Sequence, residues 1–264
     1  MTKYVVNDHT KQTSVWGPVD DEVKKELQSA FKEFDMTQSK LSAFFLLNQA
    51  LIEMGPAYID NYVRTVLSEA IFSGLEAGIV SGTGKDMPIG MDRDLSNMTN
   101  GVYAQKTAVA LTSFEPAAYG AVIAPMAKNT NGLNKKFSSV ILVINMTTYL
   151  TKVMPATTMA IPQGGYARDV FAFPTEVIIS NEIDDNKGVL AIAENYFCGV
   201  GMGTNGNVTY SDEYKFLEDY RTYKAKLYAA GRLIDNTDSV FLDLSGLEAL
   251  AYPVKVKGTV TLLS

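Results

Sequence analysis

The sequence predicts an α+β fold. Three observations carry that reading: one long amphipathic helical repeat beginning at Pro56, a continuous β-branched apolar run over Ser139–Asn145, and a series of shorter strand-like runs after it. With 264 residues, 47% of them hydrophobic and 20% charged, the chain has ordinary globular composition and enough apolar material for a sizeable core.

Taken in order, Tyr4–Val6 reads as a short strand, and the stretch from Asn7 to Lys40 is polar and carries no continuous apolar face. It holds a Gly17-Pro18 turn signal and a run of charges from Asp20 to Glu26. The run Phe31 to Phe45 becomes strand-like again, so a long two-stranded hairpin is expected rather than disorder. Gly55-Pro56 then opens the helix, with proline in the first turn where a helix tolerates it. Ile59, Tyr62, Val63, Val66, Leu67, Ala70, Ile71 and Gly74 recur at three- and four-residue steps, opposite a polar face of Asp60, Asn61, Arg64, Thr65, Ser68, Glu69 and Ser73. From Pro56 to about Ile79 such a helix spans about 36 Å. The Ser81-Gly82-Thr83-Gly84 cluster is expected to end it with a left-handed cap.

Glu115-Pro116 opens a second, shorter helix through Tyr119, Val122, Ile123, Met126 and Ala127. Ser139–Asn145 reads as a strand buried on both faces, in the middle of a sheet. Further strands are expected at Glu176–Ser180, Gly188–Ala193 and Asn207–Tyr210. Leu217–Tyr228 has mixed character, and Val254–Leu263 closes the chain with one covered face.

The chemical inventory is sparse. Cys198 is the single cysteine and His9 the single histidine, which excludes an intrachain disulfide, a cysteine metal cluster and the familiar histidine-based hydrolytic sites. Neither a metal nor a cofactor is expected. Gly201-Met-Gly203-Thr-Asn-Gly206 has the spacing of a dinucleotide loop, but β-type residues follow where a helix is required, so a hairpin connection is the expectation. Gly82-Thr-Gly84-Lys85 lacks the earlier glycine and the Ser or Thr of a phosphate loop. The carboxylates at Asp20, Asp21 and Glu22, at Asp184 and Asp185, and at Asp212, Glu218 and Asp219 have no calcium-loop spacing and read as solvated charge. Cys198, between Phe197 and Gly199, reads as a small buried hydrophobe.

With 23 Lys and Arg against 29 Asp and Glu, the formal charge is −6, which disfavours gripping a nucleic-acid backbone. No apolar run approaches the roughly 18 to 20 residues needed to cross a bilayer. Neither a membrane nor export is expected.

The order of features resembles the major capsid proteins of tailed bacteriophages, the Hong Kong 97-type fold. The run Leu41–Ile59, the long helix, Gly82-Thr-Gly84 and Pro88-Ile-Gly90 look like that family's return strand, spine helix and glycine loop. Trp16 falls where such proteins often carry a tryptophan in the extended loop. Val143–Asn145 with Thr147–Leu150, Asp219-Tyr-Arg221, Leu242–Leu247 and Pro253–Thr259 resemble the later pattern.

The resemblance implies an extended loop over 1–40, and a peripheral domain over 41–100 and 245–264 with its spine helix at 56–79. It also implies an axial domain over 101–244, with a central mixed sheet and flanking helices. Trp16, Val19, Val23, Leu27 and Phe31 would then lie over an adjacent subunit. The implied partners are copies of the same chain in hexamers and pentamers, portal and decoration proteins, and DNA that is enclosed without specific binding. The chain would be made in the bacterial cytoplasm and end in the virion capsid, without catalytic activity. Relatives usually carry an N-terminal arm and scaffolding segment before the extended loop, whereas Met1 here meets that loop directly. A shortened chain that assembles poorly is therefore expected. Lys24 and Lys25 have no matching asparagine or glutamate partner, so no crosslink is carried over. The rival readings are the shell subunit of an encapsulin-type compartment and a nucleotide-binding enzyme using the 201–206 loop.

Overall fold

The computed structural model describes residues 2–7, 31–36, 39–49, 52, 55–161, 165–202 and 208–250. The strands are β1 (Thr2–Asn7), β2 (Phe31–Met36), β3 (Ser39–Asn48), β4 (Arg93–Thr99), β5 (Val102–Gln105), β6 (Val109–Ala110), β7 (Val140–Ile144) and β8 (Met159–Ala160). They continue as β9 (Tyr166–Ala167), β10 (Thr175–Ile179), β11 (Lys187–Ala191), β12 (Tyr196–Met202), β13 (Thr209–Ser211), β14 (Tyr220–Leu233) and β15 (Ser239–Asp243). The helices are α1 (Pro56–Ser81), α2 (Pro116–Ile123), α3 (Met146–Thr148) and α4 (Met154–Thr157), the last two joined by a π-helical turn at Tyr149–Val153.

A five-stranded sheet in the order β10-β7-β11-β15-β6 forms one centre of the molecule. All five residues of β7 are buried, as a β-branched run with no polar break requires. The strand lies inside the sheet, between parallel β10 and antiparallel β11, although β11 holds the middle place. Strand alternation divides its side chains between two cores. Val140, Leu142 and Ile144 join α2, Met126 and Leu242 on one face, while Ile141 and Val143 join Val189, Phe241, Val80 and Met91 on the other. Each such side chain contributes about 1.5–3 kcal/mol by leaving water. Tyr119 is buried in the first core, its ring 5.2 Å from Phe114, and its hydroxyl shares a 2.7 Å hydrogen bond with Thr175 Oγ1.

The second sheet is built on β14. One edge of that strand pairs with β3, from Tyr220↔Asn48 to Ala229↔Ser39. The helix α1 lies on its inner face, where Val63 and Leu67 meet Tyr223, Phe45 and Leu47 in a third core. At 26 residues α1 is two longer than its periodicity indicates, about 39 Å, and its far end delivers Val80 to the five-stranded sheet. One helix therefore ties both sheets together.

Several expectations need correction. The run from Phe31 to Phe45 is two strands rather than one, with β2 paired to β1 and β3 paired to β14. Gly82 does not take a left-handed cap: its φ is −61°, and glycine is needed because a Cβ would stand 2.3 Å from the Gly78 and Pro88 carbonyl oxygens. The left-handed residue is Gly84, with φ +85°. The closing strand expected at Val254–Leu263 lies outside the described residues.

Candidate functional site

Of the contact residues expected from sequence, Trp16, Val19, Val23 and Leu27 lie outside the described residues, as does His9. Phe31 opens β2, its backbone opposite Asn7. The β1–β2 ribbon pairs antiparallel from Thr2↔Met36 to Asn7↔Phe31 and, among the described residues, joins neither larger sheet. Its backbone geometry is the base of a hairpin whose ends are 24 residues apart along the chain, at Asn7 and Phe31.

Several of the side chains that suggested chemistry, Asp185, Asp212 and Glu218 among them, are occupied by local structure. The glycine-rich stretch after β12 is flanked by two strands on the same edge of β14, because Met202 pairs with Leu227 and Thr209 pairs with Lys224. Both run antiparallel to β14, hence parallel to each other. The stretch thus joins two segments on one edge of the sheet, and β12 and β13 are not the paired strands of the hairpin expected from sequence. Among the described residues the next element is strand β13, with no helix there to cradle a phosphate.

Asp212 accepts a two-pronged ion pair from Arg221, with Nε to Oδ1 at 2.6 Å and Nη2 to Oδ2 at 2.9 Å, and this partner holds its carboxyl below the usual range. Arg221 also covers the Tyr210 ring at 4.8 Å. Glu218 pairs with Lys215 at 2.8 Å, and Asp185 accepts from Asn145. Cys198 is exposed rather than buried, because it shares the outward face of edge strand β12 with Val200. Partial burial pushes its thiol up, away from nucleophilic reactivity.

What the molecule presents instead is a set of exposed aromatic side chains. Tyr58, Tyr62 and Phe72 follow one outer stripe of α1, and Phe44, Tyr210 and Tyr214 gather on the β14 sheet. The latter three border a groove of about 490 Å³ with Thr222 and Lys224. The Thr222 hydroxyl is buried there without a hydrogen-bond partner. Isolated exposed apolar residues are ordinary, whereas clustered aromatics mark surfaces that gain by contact. Sequence reading missed this cluster. The available signal was Phe44-Phe45, since adjacent aromatics in a strand must point to opposite faces, and here one is 70% exposed while the other packs under α1.

Comparison with known proteins agrees with this arrangement. A family model described as the phage capsid family matches residues 2–153. Among solved structures, the capsid of an empty GTA particle superposes with a TM-score of 0.63 at 16% identity, covering 92% of this chain and 84% of that one. A chain from Mycobacterium phage Adephagia gives 0.60 at 12% identity over 95% and 86%. One from Gordonia phage Cozz gives 0.58 at 12% over 94% and 81%. No curated protein matches the sequence. The fold is the Hong Kong 97-type, with a long helix spanning two sheets. The chain belongs to the phage capsid family, and it is a structural subunit whose place is in the virion capsid among copies of itself.

Proposed function

We propose that this subunit builds a closed icosahedral shell from hexamers and pentamers, made in the bacterial cytoplasm and enclosing DNA without specific binding. The family match over residues 2–153 carries this reading. It supports a phage shell over an encapsulin-type compartment. Within that reading, 1–40 is the extended loop, 41–100 with 245–264 the peripheral domain, and 101–244 the axial domain. Portal and decoration proteins are the further partners. A formal charge of −6 suits a wall that must let go of the polymer inside it.

The extended loop is the expected contact element. Apolar residues on a stretch with no core of its own gain burial only against a neighbour, and the cost of ordering them is met on assembly. Trp16, Val19, Val23, Leu27 and Phe31 fill that role in this proposal. Many modest contacts of this kind permit error correction during assembly, and symmetry multiplies them into a stable lattice. The subunit acts through contact and not catalysis, a reading supported by the local ion pairs that engage Asp212 and Glu218.

Sedimentation velocity of the wild-type chain beside Val23→Asp and Leu27→Asp tests the contact role. A minor population of large assemblies in the wild type, lost to small species in both variants, is expected. Undiminished assembly in both variants contradicts it.

A further inference from the structure

The two sheets are joined by a pair of adjacent crossings. The chain leaves β11 through residues 192–195 to enter β12, and it returns from β14 through residues 234–238 to β15. The crossings lie side by side because β12 pairs with β14 while β11 pairs with β15. Ile192 N donates to the Asp238 carbonyl oxygen and Ile234 N to that of Asn195, each at 2.9 Å. On either side the sheets keep separate cores, and the end of α1, the loop through Ile89 and Met91, and Tyr196 of β12 also span the gap: Ile89 N donates to the Gly231 carbonyl oxygen at 2.8 Å, and Ser239 Oγ donates to that of Met91.

The return crossing is held by charge. Asp238 is fully buried, and its Oδ1 accepts from Lys135 Nζ at 2.6 Å and from Asn195 Nδ2 at 2.7 Å. Its Oδ2 accepts from Asp235 N at 2.8 Å, closing a capping box. Lys135 also reaches Thr237 Oγ1 at 2.7 Å and Asp235 at 3.5 Å. Lys106 Nζ donates to the carbonyl oxygens of Asn236 and Ser239 and to Ser239 Oγ, at 2.5, 2.9 and 2.7 Å. The Asn236 side chain accepts from Leu95 N at 3.0 Å and donates to Asp94 at 2.8 Å, which fastens β4 to the same turn. Four chain segments converge on five residues.

We propose that residues 235–239 form a clasp over a hinge: Asp238 and Lys135, with Lys106 and Asn236, hold the two sheets at one mutual angle. Releasing the clasp frees the sheets to swing about the paired crossings without unfolding either. Two short connections, each built on a single 3₁₀ turn (193–195 and 236–238), bend readily because few φ/ψ angles must change, whereas the packed sheets on either side do not deform continuously. Positions in a closed shell that are not identical ask one chain for more than one bend. That use rests on the shell reading, but the clasp itself does not.

The test uses the isolated chain with Cys198→Ser, spin-labelled at Ser68 on α1 and Glu176 on β10, both exposed positions. Asp238→Asn breaks the buried pair, and Asn236→Ala is the milder variant that severs only the tie to β4. In the clasp variants the distance distribution is expected to broaden about twofold. Exchange at the Ile192 and Ile234 amides should be at least about tenfold faster, while Leu142 and Leu190 keep their protection. If Asp238→Asn does not fold, Asn236→Ala decides. An unchanged distance distribution overturns the hinge, as does loss of protection at Leu142 and Leu190 in step with the crossings. Neither result bears on whether the chain forms shells.

Discussion

The Lys135 ammonium stands 2.6 Å from the Asp238 carboxylate although 103 residues separate them in sequence, and their side chains are only 7% and 0% exposed. Removing one member of such a pair leaves an uncompensated buried charge. Asp238→Ala should therefore lose about 3–5 kcal/mol of folding stability in urea titrations, far more than an exposed ion pair contributes. A loss below about 1 kcal/mol would show that the pair is dispensable.

Lys106 gives the same region a pH signature. Burial, opposed by the nearby charges of Asp94, Asp238, Asp92 and Asp235, pushes its ammonium down to about 8 from an ordinary 10.5. Between those two values the unfolded chain binds more protons than the folded one, so stability rises with pH through that window and falls again as pH drops toward 8. Between pH 8 and 9.5 the slope should reach at most about 1.4 kcal/mol per pH unit, and Lys106→Met should lack it. An identical slope in the variant assigns the effect to other groups.

Two glycines with equally open surroundings predict opposite outcomes. A Cβ at Gly101 or at Gly120 meets nothing within 4 Å, but Gly101 sits at φ +81° in the tight turn joining β4 to β5, while Gly120 lies within α2. Gly101→Ala should cost about 1–2 kcal/mol through backbone strain. Gly120→Ala should gain about 0.5–1 kcal/mol through helix propensity. Thermal melts of both variants decide this, and a common sign for the two would contradict the assignment.

Core and surface should likewise separate. Leu142 is fully buried at the centre of the first core, and Leu142→Ala is expected to cost about 2–5 kcal/mol. Phe44, 70% exposed, should tolerate Phe44→Ser within about 0.5 kcal/mol in the isolated chain. A large loss at Phe44 would mean that the aromatic supports the fold and is not a free contact group.

The legibility of this fold in its sequence varied by element, for physical reasons. Helix α1 was readable because its apolar residues repeat at helical steps behind a proline, and β7 because five β-branched or leucine residues run unbroken. The strand β14 was read only as mixed character over Leu217–Tyr228, since Ala229, Ala230 and Gly231 have weak strand preference and are held by pairing with β3 and β12. The break between β2 and β3 was hidden because both halves favour strand and only the partner differs. Cys198 was misplaced because composition around it does not reveal that β12 is an edge. The clasp was invisible for a different reason: Lys106, Lys135 and Asp238 meet only after long-range folding. Its one local trace was the Asp235-to-Asp238 spacing of a capping box, which went unread.

The central claim is that this chain works by associating with copies of itself into a closed shell. Electron microscopy of particles purified after expression of the chain tests that most directly. Round particles of uniform diameter, few against a background of unassembled chain and with fivefold and sixfold clusters of density on their surface, are the predicted result. A monodisperse monomer at every concentration, with no ring or shell in any field, contradicts it.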